Sequence, residues 1–349
     1  MKVREEIHGA ERLLFACDEE TGLRAVVAMH RTTLGPALGG CRWARYGSEA
    51  EAVRDARRLA LGMTYKNAMA GVPYSGGKAV VFGPRPQEAG DASRAFRTLG
   101  RFIEDLQGRY ITGMDLGTSV REMDWIRQET SYVTDTTGSL GANGEFTADM
   151  TAYGVYLGIR ASLCRAYGSE TMTRRIVAVQ GLGKVGFALC RYLREAGADL
   201  IVADVQEERA RKAAAAYGAR VVDPDEIART ACDVFAPCAL GGGLGEETIP
   251  ALRCAIVAGA ANNQLADDFD GERLQQRGIL YAPDYVVNAG GILVTAVELA
   301  GGTASMARRR VAGIRTTIDA VFSEASRHGI SPAAAADRLA RSRFSLICG

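Results

Sequence analysis

Histidine is scarce in this sequence: His8, His30 and His328 are the whole supply among 349 residues. With no histidine cluster, little material exists for imidazole acid–base catalysis, so lysine and aspartate must carry any chemistry. Cysteine occurs eight times without organisation. Cys17, Cys41, Cys164, Cys190, Cys232, Cys238, Cys254 and Cys348 form no C-x-x-C pair and no Cys/His group at metal-ligand spacing. They read as small buried hydrophobes in a reducing compartment, and no metal site is expected. Long apolar runs are missing as well. No stretch of about 18 apolar residues is available to span a membrane, and the charged start MKVREEIHGAERLLF lacks the apolar core of a secretion signal. A cytoplasmic location is expected. Net charge is +1, with 42 basic residues interleaved among 41 acidic ones. Such a chain has no field to steer nucleic acid or an anionic membrane, and neither is an expected partner.

What the chain does have is length and alternation. It is too long for one ordinary domain and suits two, each with a substantial core. No internal repeat or low-complexity tract interrupts it. LRAVVAMH at 23–30 has the apolar run of a strand. Ser48 and Glu51 form an S-x-x-E capping box ahead of a helix in which Val53, Ala56, Ala60 and Met63 recur at helical spacing. Lys66 then falls near the C-terminal end of that helix. AVVFG after Lys78 and RYITG before Asp115 read as strands, which would put both side chains at strand ends. After the Gly-rich stretch Gly138–Gly144 a helix is expected from about Thr151 to Arg165. RRIVAVQ, DLIVAD, CDVFAP, CAIVAGA and GILYAP follow as strands separated by helices, the mark of a parallel, doubly wound sheet. A long helix near 303–327, with Val311, Ile314, Ile318 and Val321 on one face, and a last one opened by Ser331 and Pro332 finish the chain.

GLGKVG at Gly181–Gly186 follows one of these strands and opens a helix. In that context Gly181 permits a tight turn, Gly183 lets the backbone approach a pyrophosphate, and Gly186 brings helix and strand together, with the anion at the helix N-terminus. Asp204 ends the next strand, where a carboxylate hydrogen-bonds the adenosine ribose and repels a 2′-phosphate. NAD is therefore expected rather than NADP, with Arg209 nearby pulling the other way.

Lys66 in MTYKNA and Lys78 in SGGKAVV stand among small or apolar residues, unlike surface lysines. Two ammonium groups converging on one cleft would depress each other's pKa, so one holds a carboxylate while the other works as a base. Asp115, in TGMDLGT, is placed to exchange a proton with an amine. As isolated residues these would more often be salt-bridge partners; beside a nicotinamide site they read as catalytic.

These residues lie in seven blocks: TTLGPALGGCRW, MTYKNAMAGVPYSGGKAVV, YITGMDLGTSVREMD, VAVQGLGKVG, DVFAPCALGG, AGAANNQL and APDYVVNAGGI. In that order, over nearly the whole length, the chain resembles the glutamate, leucine, valine, phenylalanine and tryptophan dehydrogenases. The resemblance implies reversible, NAD-dependent oxidative deamination of an L-amino acid to a 2-oxo acid and ammonia. It implies that Lys66 binds the α-carboxylate, Lys78 activates water, Asp115 moves protons at the amino group, and Asn262 touches substrate and nicotinamide. Gly39 lies beside the substrate, and Leu38, Gly113, Ile292 and Thr295 match walls of the side-chain pocket. Cofactor contacts are implied at Gly181, Leu182, Gly183, Lys184, Val185, Gly186, Asp204, Val205, Cys238, Ala239, Leu240, Ala260, Asn262 and Asn288. The expected fold is α/β in two domains: an N-terminal α/β substrate domain over 1–138 and a C-terminal doubly wound Rossmann domain for NAD over 139–327. Helices at about 328–349 could pack back on the first. Members of the family are homo-oligomers, so self-association is expected.

Leu38 stands where the glutamate enzymes carry a lysine, and a second carboxylate buried against leucine would be costly, so an apolar substrate is preferred. Ile292 is bulky, as in the branched-chain enzymes, whereas Gly113 leaves space an aromatic ring could use. The branched-chain reading leads, with an aromatic amino-acid dehydrogenase in a biosynthetic pathway as the alternative and a non-catalytic dinucleotide-binding regulator third. Departures from the family pattern are Tyr74 and Ser75 before the GGK, Cys41 and Trp43 in the first glycine block, and Phe146 and Asp149 in place of prolines. Asp149 reads either as a helix N-terminal carboxylate or as a polar group facing the cleft.

Overall fold

A computed structural model describes residues 1–9, 11–83, 89–239 and 241–345. Leu240 and Cys348 lie outside the described residues, as do the last four positions of the terminal segment. Two compact units are present: Met1–Asn143 with Thr295–Gly302 and Ala340–Gly349, and Gly144–Val294 with Thr303–Leu339.

The first unit is built on a seven-stranded mixed sheet. Its elements run β1 (Lys2–His8), β2 (Glu11–Asp18), β3 (Leu23–His30), β4 (Ala37–Leu38), β5 (Cys41–Ala44), α1 (Glu49–Ala70), β6 (Ser75–Phe82), α2 (Ala89–Asp105), β7 (Tyr110–Ile111) and α3 (Val120–Arg127). β6 is central: it pairs antiparallel with β3 and parallel with β4 and β5. All eight of its residues are buried, so the pleat must supply two apolar faces. Val26, Ala28, Val80 and Phe82 face one core with Ala52, Ala56 and Ala60 of α1. Ala25, Val27, Ala79 and Val81 face the other, with Phe96, Leu99 and Phe102 of α2 and Met123 and Ile126 of α3.

Helix α1 begins as expected, since the Ser48 side chain accepts from the Glu51 backbone N–H at 3.2 Å. The reciprocal half of the box is displaced by one residue, because the Glu51 carboxylate accepts from Gly47 N at 2.8 Å. Lys66 lies in the last two turns of α1, as its position in the sequence indicates.

Lys78 corrects the sequence reading. It is the fourth residue of an eight-residue strand rather than the end of one, because Ser75, Gly76 and Gly77 extend β6 against β4 and β3. Small residues carry no apolar signal, so the strand looked shorter than it is. Asp115 lies in the turn beyond the two-residue β7.

The second unit comprises α4 (Gly144–Tyr167), β8 (Ile176–Gln180), α5 (Lys184–Glu195), β9 (Asp199–Ala203), α6 (Glu207–Tyr217), β10 (Arg220–Val221), β11 (Val234–Pro237), β12 (Ile256–Val257), α7 (Asp270–Gln276), β13 (Leu280–Tyr281) and α8 (Asp284–Val287). Further elements are α9 (Gly290–Leu299), α10 (Ala304–Ala312), α11 (Ile314–His328) and α12 (Pro332–Ser345); α9 and α12 each give their C-terminal part to the first unit. The sheet order is β10-β9-β8-β11-β12-β13, every pair parallel. This is the doubly wound arrangement whose strand order reverses beside β8, where ligands bind at the carboxyl ends of the strands.

Two helices differ from expectation. α4 starts at Gly144, seven residues earlier than expected. The helix expected over 303–327 is divided at Gly313, whose N–H bonds the Arg310 carbonyl three residues back at 3.1 Å. The predicted face survives the division: Val311, Ile314, Ile318 and Val321 are all buried.

Candidate active site

Strand pleating decides which side chains meet. Lys78 shares the parity of Val80 and Phe82, so it lies on the sheet face that α1 covers. Arg42 pairs in register with Val80 on the neighbouring strand and lies on the same face. α1 can come this close because the sheet opposite it is bare: a Cβ at Gly76 would collide with the backbone of Ala60 and Thr64. Gly39 is equally tight against Gly77, and a Cβ there would also approach Met63 of α1, one turn before Lys66. Lys66, Gly39 and Lys78 are thus held around one short stretch of backbone.

The turn after β7 brings in Asp115. Its backbone N–H donates to Thr118 Oγ1 at 3.0 Å, and that hydroxyl donates to the Cys41 carbonyl at 2.8 Å. The carboxylate then meets two cations at one oxygen: Lys78 Nζ at 2.9 Å and Arg42 Nε at 2.8 Å. Arg42 continues to Asp55 at 3.0 Å, whose carboxylate also accepts from Tyr46 and Arg58. Burial alone would raise the Asp115 carboxyl, but Lys78 and Arg42 outweigh it and hold the group below the usual carboxylate range. Lys78 is nearly sealed from solvent, its side chain 6% exposed. Burial pushes its ammonium below the ordinary lysine value; Asp115 opposes that shift and Arg42 adds to it.

The sequence reading named Lys66 as a second cation that perturbs Lys78; Arg42, which it did not name, is a cation beside Lys78 that does so. Its neighbours Cys41 and Trp43 are the members of the block GGCRW that depart from the family pattern. Both are core residues: Cys41 is buried, its thiol pushed up to about 12 by burial and next by Asp115, and Trp43 packs on Phe96 with ring centroids 5.1 Å apart. Ser75 is buried too, and its hydroxyl accepts from Leu34 N at 3.2 Å.

Leu38, Gly39 and Gly113 lie near this centre in the first unit. Leu38 is 2% exposed, and Gly113 receives the Cys41 N–H at its carbonyl at 2.8 Å. The room that Gly113 was expected to leave is taken. A Cβ there would stand 2.5 Å from Asp135 Oδ2 and 2.6 Å from Thr134 Oγ1, so the carboxyl of Asp135 fills the gap. Thr295 belongs to the same unit, Ile292 and Asn262 to the second, and both α9 residues are partly exposed.

In the second unit the glycine fingerprint is formed at the β8–α5 junction. Gly181 has φ 91°, and a Cβ at Gly186 would collide with the Gly181 carbonyl, so both must be glycine. Gly183 caps α5 with no side-chain hydrogen bond, and the space beside it is open. Lys184 is exposed, Val185 partly so, and Leu182 is buried beneath the loop. Asp204 accepts from Leu182 N at 2.6 Å and Gln206 N at 2.8 Å, with Arg209 at 3.9 Å and Val205 exposed beside it. Cys238 and Ala239 follow β11, Ala239 against Gly181. Asn288 donates to the Ala260 carbonyl at 3.1 Å and to Asn262 Oδ1 at 3.0 Å. Its own Oδ1 is buried with no partner among the described residues.

Asp149 is not the helix N-terminal carboxylate of the first reading, and it lines a cavity with Leu182, Gly183 and Lys184. It is the sixth residue of α4, beyond the first turn, and its carboxylate is the hub for Arg191, Arg308 and Tyr192. Among the described residues no group of three His, Cys, Asp or Glu is arranged to hold a metal, and no helix is long and apolar enough to cross a membrane.

A doubly wound sheet with a glycine-lined turn, and a separate α/β unit with a buried lysine–aspartate pair, together define an amino-acid dehydrogenase. Comparison with known proteins agrees. Residues 12–132 match the sequence profile of the Glu/Leu/Phe/Val dehydrogenase dimerisation domain, and residues 201–343 that of glutamate/leucine/phenylalanine/valine dehydrogenase. A leucine dehydrogenase of Thermoactinomyces intermedius is 47% identical over 98% of this chain and 93% of its own. A valine dehydrogenase of Streptomyces albus is 44% identical over 97% and 93%. The crystal structure of L-tryptophan dehydrogenase from Nostoc punctiforme superposes with a TM-score of 0.85 at 40% identity, over 98% of this chain and 96% of that one. The chain belongs to the Glu/Leu/Phe/Val dehydrogenase family.

Proposed function

We propose that this enzyme oxidatively deaminates a branched-chain L-amino acid such as leucine or valine, reversibly and with NAD, giving the 2-oxo acid and ammonia. The observation that carries the reaction is the Lys78–Asp115 contact on a buried sheet face. A carboxylate held ionised can take a proton from the substrate ammonium, and a buried amine with a depressed pKa can take one from water that adds to the imine carbon. In the reverse direction the same groups return those protons. Lys66, on the helix covering that face, is suited to hold the α-carboxylate. Bound NAD supplies the hydride acceptor. The residues present suit it: the uncapped start of α5 with open space at Gly183 accommodates a pyrophosphate, and the unpaired Asn288 Oδ1 beside Asn262 offers an acceptor for a carboxamide N–H. The carboxylate of Asp204 at the end of β9 favours NAD over NADP.

For the substrate, Leu38 argues against a second carboxylate and the carboxyl at Gly113 argues against a bulky ring. The names of the leucine and valine dehydrogenase relatives point the same way. The likeness to the Nostoc tryptophan dehydrogenase keeps the aromatic reading as the second. Self-association into a homo-oligomer accords with the profile name of residues 12–132, and a cytoplasmic location with free cysteines among the described residues.

Absorbance at 340 nm with NAD and leucine, valine, phenylalanine, tryptophan or glutamate tests the assignment. Leucine or valine should give the highest kcat/KM, and a preference for an aromatic acid would replace this reading. Lys78→Ala should lower kcat by on the order of 10³-fold or more while NADH binding stays intact; retained turnover would remove Lys78 from the chemistry.

A further inference from the structure

Asp135 stands out by its backbone and its surroundings. It has φ 60°, in the left-handed region that disfavours side chains. It follows the segment in which Thr134 N bonds the Thr112 carbonyl at 2.9 Å, so it emerges directly beside Gly113 and Met114. Its Oδ2 accepts from Met114 N at 2.7 Å, one residue before Asp115. The other oxygen is turned toward Gly141, whose N–H is held by Glu298 Oε2 at 2.6 Å. Burial, and next the Glu298 charge, push the Asp135 carboxyl up to about 6, against the pull of the Met114 N–H. An awkward backbone and a reluctantly ionised carboxyl are kept together at the wall beside the proton-handling aspartate. A local outlier in that place is a pointer to function.

We propose that Asp135 is a specificity-determining residue: its carboxyl occupies the space that the absent side chain of Gly113 leaves and closes that wall against large substrate side chains. The inference rests on the reading of Gly113 as a substrate wall and deepens the proposed function. Glycine at 113 without Asp135 would make a roomy pocket; glycine at 113 with Asp135 makes one lined by a carboxyl that the Met114 N–H holds in place, with Gly141 close beside its other oxygen.

The test compares kcat/KM for phenylalanine and valine in the wild type, Asp135→Gly, Asp135→Ala and Asp135→Asn. Glycine suits the φ of 60° and removes the obstruction, so Asp135→Gly should raise the phenylalanine-to-valine ratio by roughly tenfold or more. Asp135→Ala should move the ratio the same way. Asp135→Asn, of equal size, should hold it within about threefold of the wild type. An unchanged ratio in the glycine and alanine variants, with valine still turned over, overturns the proposal. So does loss of all turnover in the three variants with folding and NADH binding intact, since Asp135 would then serve the chemistry rather than the choice. A wild type that reduces NAD with no amino acid fails at the proposed reaction itself, and is distinguished by that.

Discussion

Lys78 and Asp115 make opposing demands on one another: the carboxylate favours a charged ammonium, while deamination needs the amine free. Arg42 tips that balance. Its charge depresses both groups, so Asp115 stays ionised and Lys78 gives up its proton more readily. Arg42→Gln removes that charge, so both pKa values rise. The pH at which the deamination rate climbs should therefore move to higher values, with kcat at a fixed mildly alkaline pH falling on the order of tenfold as Asp115 loses a partner. A pH–rate profile superimposable on the wild type would show that Arg42 only builds the wall. At the other end of the reaction, Asp204→Asn keeps an acceptor for Leu182 N while removing the charge, and frees Arg209 from its carboxylate neighbour at 3.9 Å. The ratio of NAD to NADP in kcat/KM should fall by roughly tenfold; an unaltered ratio would mean the ribose is read elsewhere. The contact between Lys78 and Asp115 was foreshadowed in the sequence because charged residues beside glycines are rare. Arg42 and Asp135 were not, because an arginine and an aspartate carry no such signature until the fold supplies their neighbours.

In the second sheet, strands were legible in proportion to their apolar content. The strands of the second sheet were anticipated from short buried runs such as IVAVQ and VFAP, and β10, with two exposed residues, was not. β1 escaped for a similar reason: it is an almost wholly exposed edge strand, KVREEIH, in which four of seven residues are charged lysine, arginine or glutamate, paired along its length with β2. Helix α4 illustrates a different failure. Gly144 to Met150 look unhelical by propensity, yet tertiary charge pairing holds them. Asp149 receives Arg191 of α5 and Arg308 of α10 together with the Tyr192 hydroxyl, and Tyr192 stacks on Tyr156 with centroids 5.5 Å apart. The arginines are about half exposed, so water screens each pair and the hub is worth roughly 1–2 kcal/mol. Asp149→Ala should lower the melting temperature by about 2–8 °C, at 2–4 °C per kcal/mol for a unit of this size. A melting curve that does not move would mean the three donors are equally well served by water.

At the scale of the whole molecule, the order of the glycine blocks announced both units, and the terminal segment from about 328 was expected to be able to pack on the first, to which its part from Ala340 belongs. The tail of α12 illustrates this. Its residues from Ala340 onward belong to the first unit, where Phe344 packs edge-on against Tyr65 at 5.5 Å and its carbonyl accepts from Thr33. Arg343 donates to the carbonyls of Ala68 and Met69 at 2.8 and 2.9 Å. Those carbonyls belong to the last turn of α1, where no further helical N–H exists to satisfy them all, and a cation there also suits the helix dipole. The distant end of the chain thus secures the end of the helix that carries Lys66. Arg343→Ala should cost about 1–2 kcal/mol, seen as a lower melting temperature. Because α1 would fray near Lys66 while the glycine fingerprint is untouched, KM for the amino acid should rise several-fold with NADH affinity unchanged. Equal losses in amino-acid and NADH binding would instead indicate general destabilisation, and an unchanged KM would show that Lys66 is positioned by the packing of α1 on β6 alone.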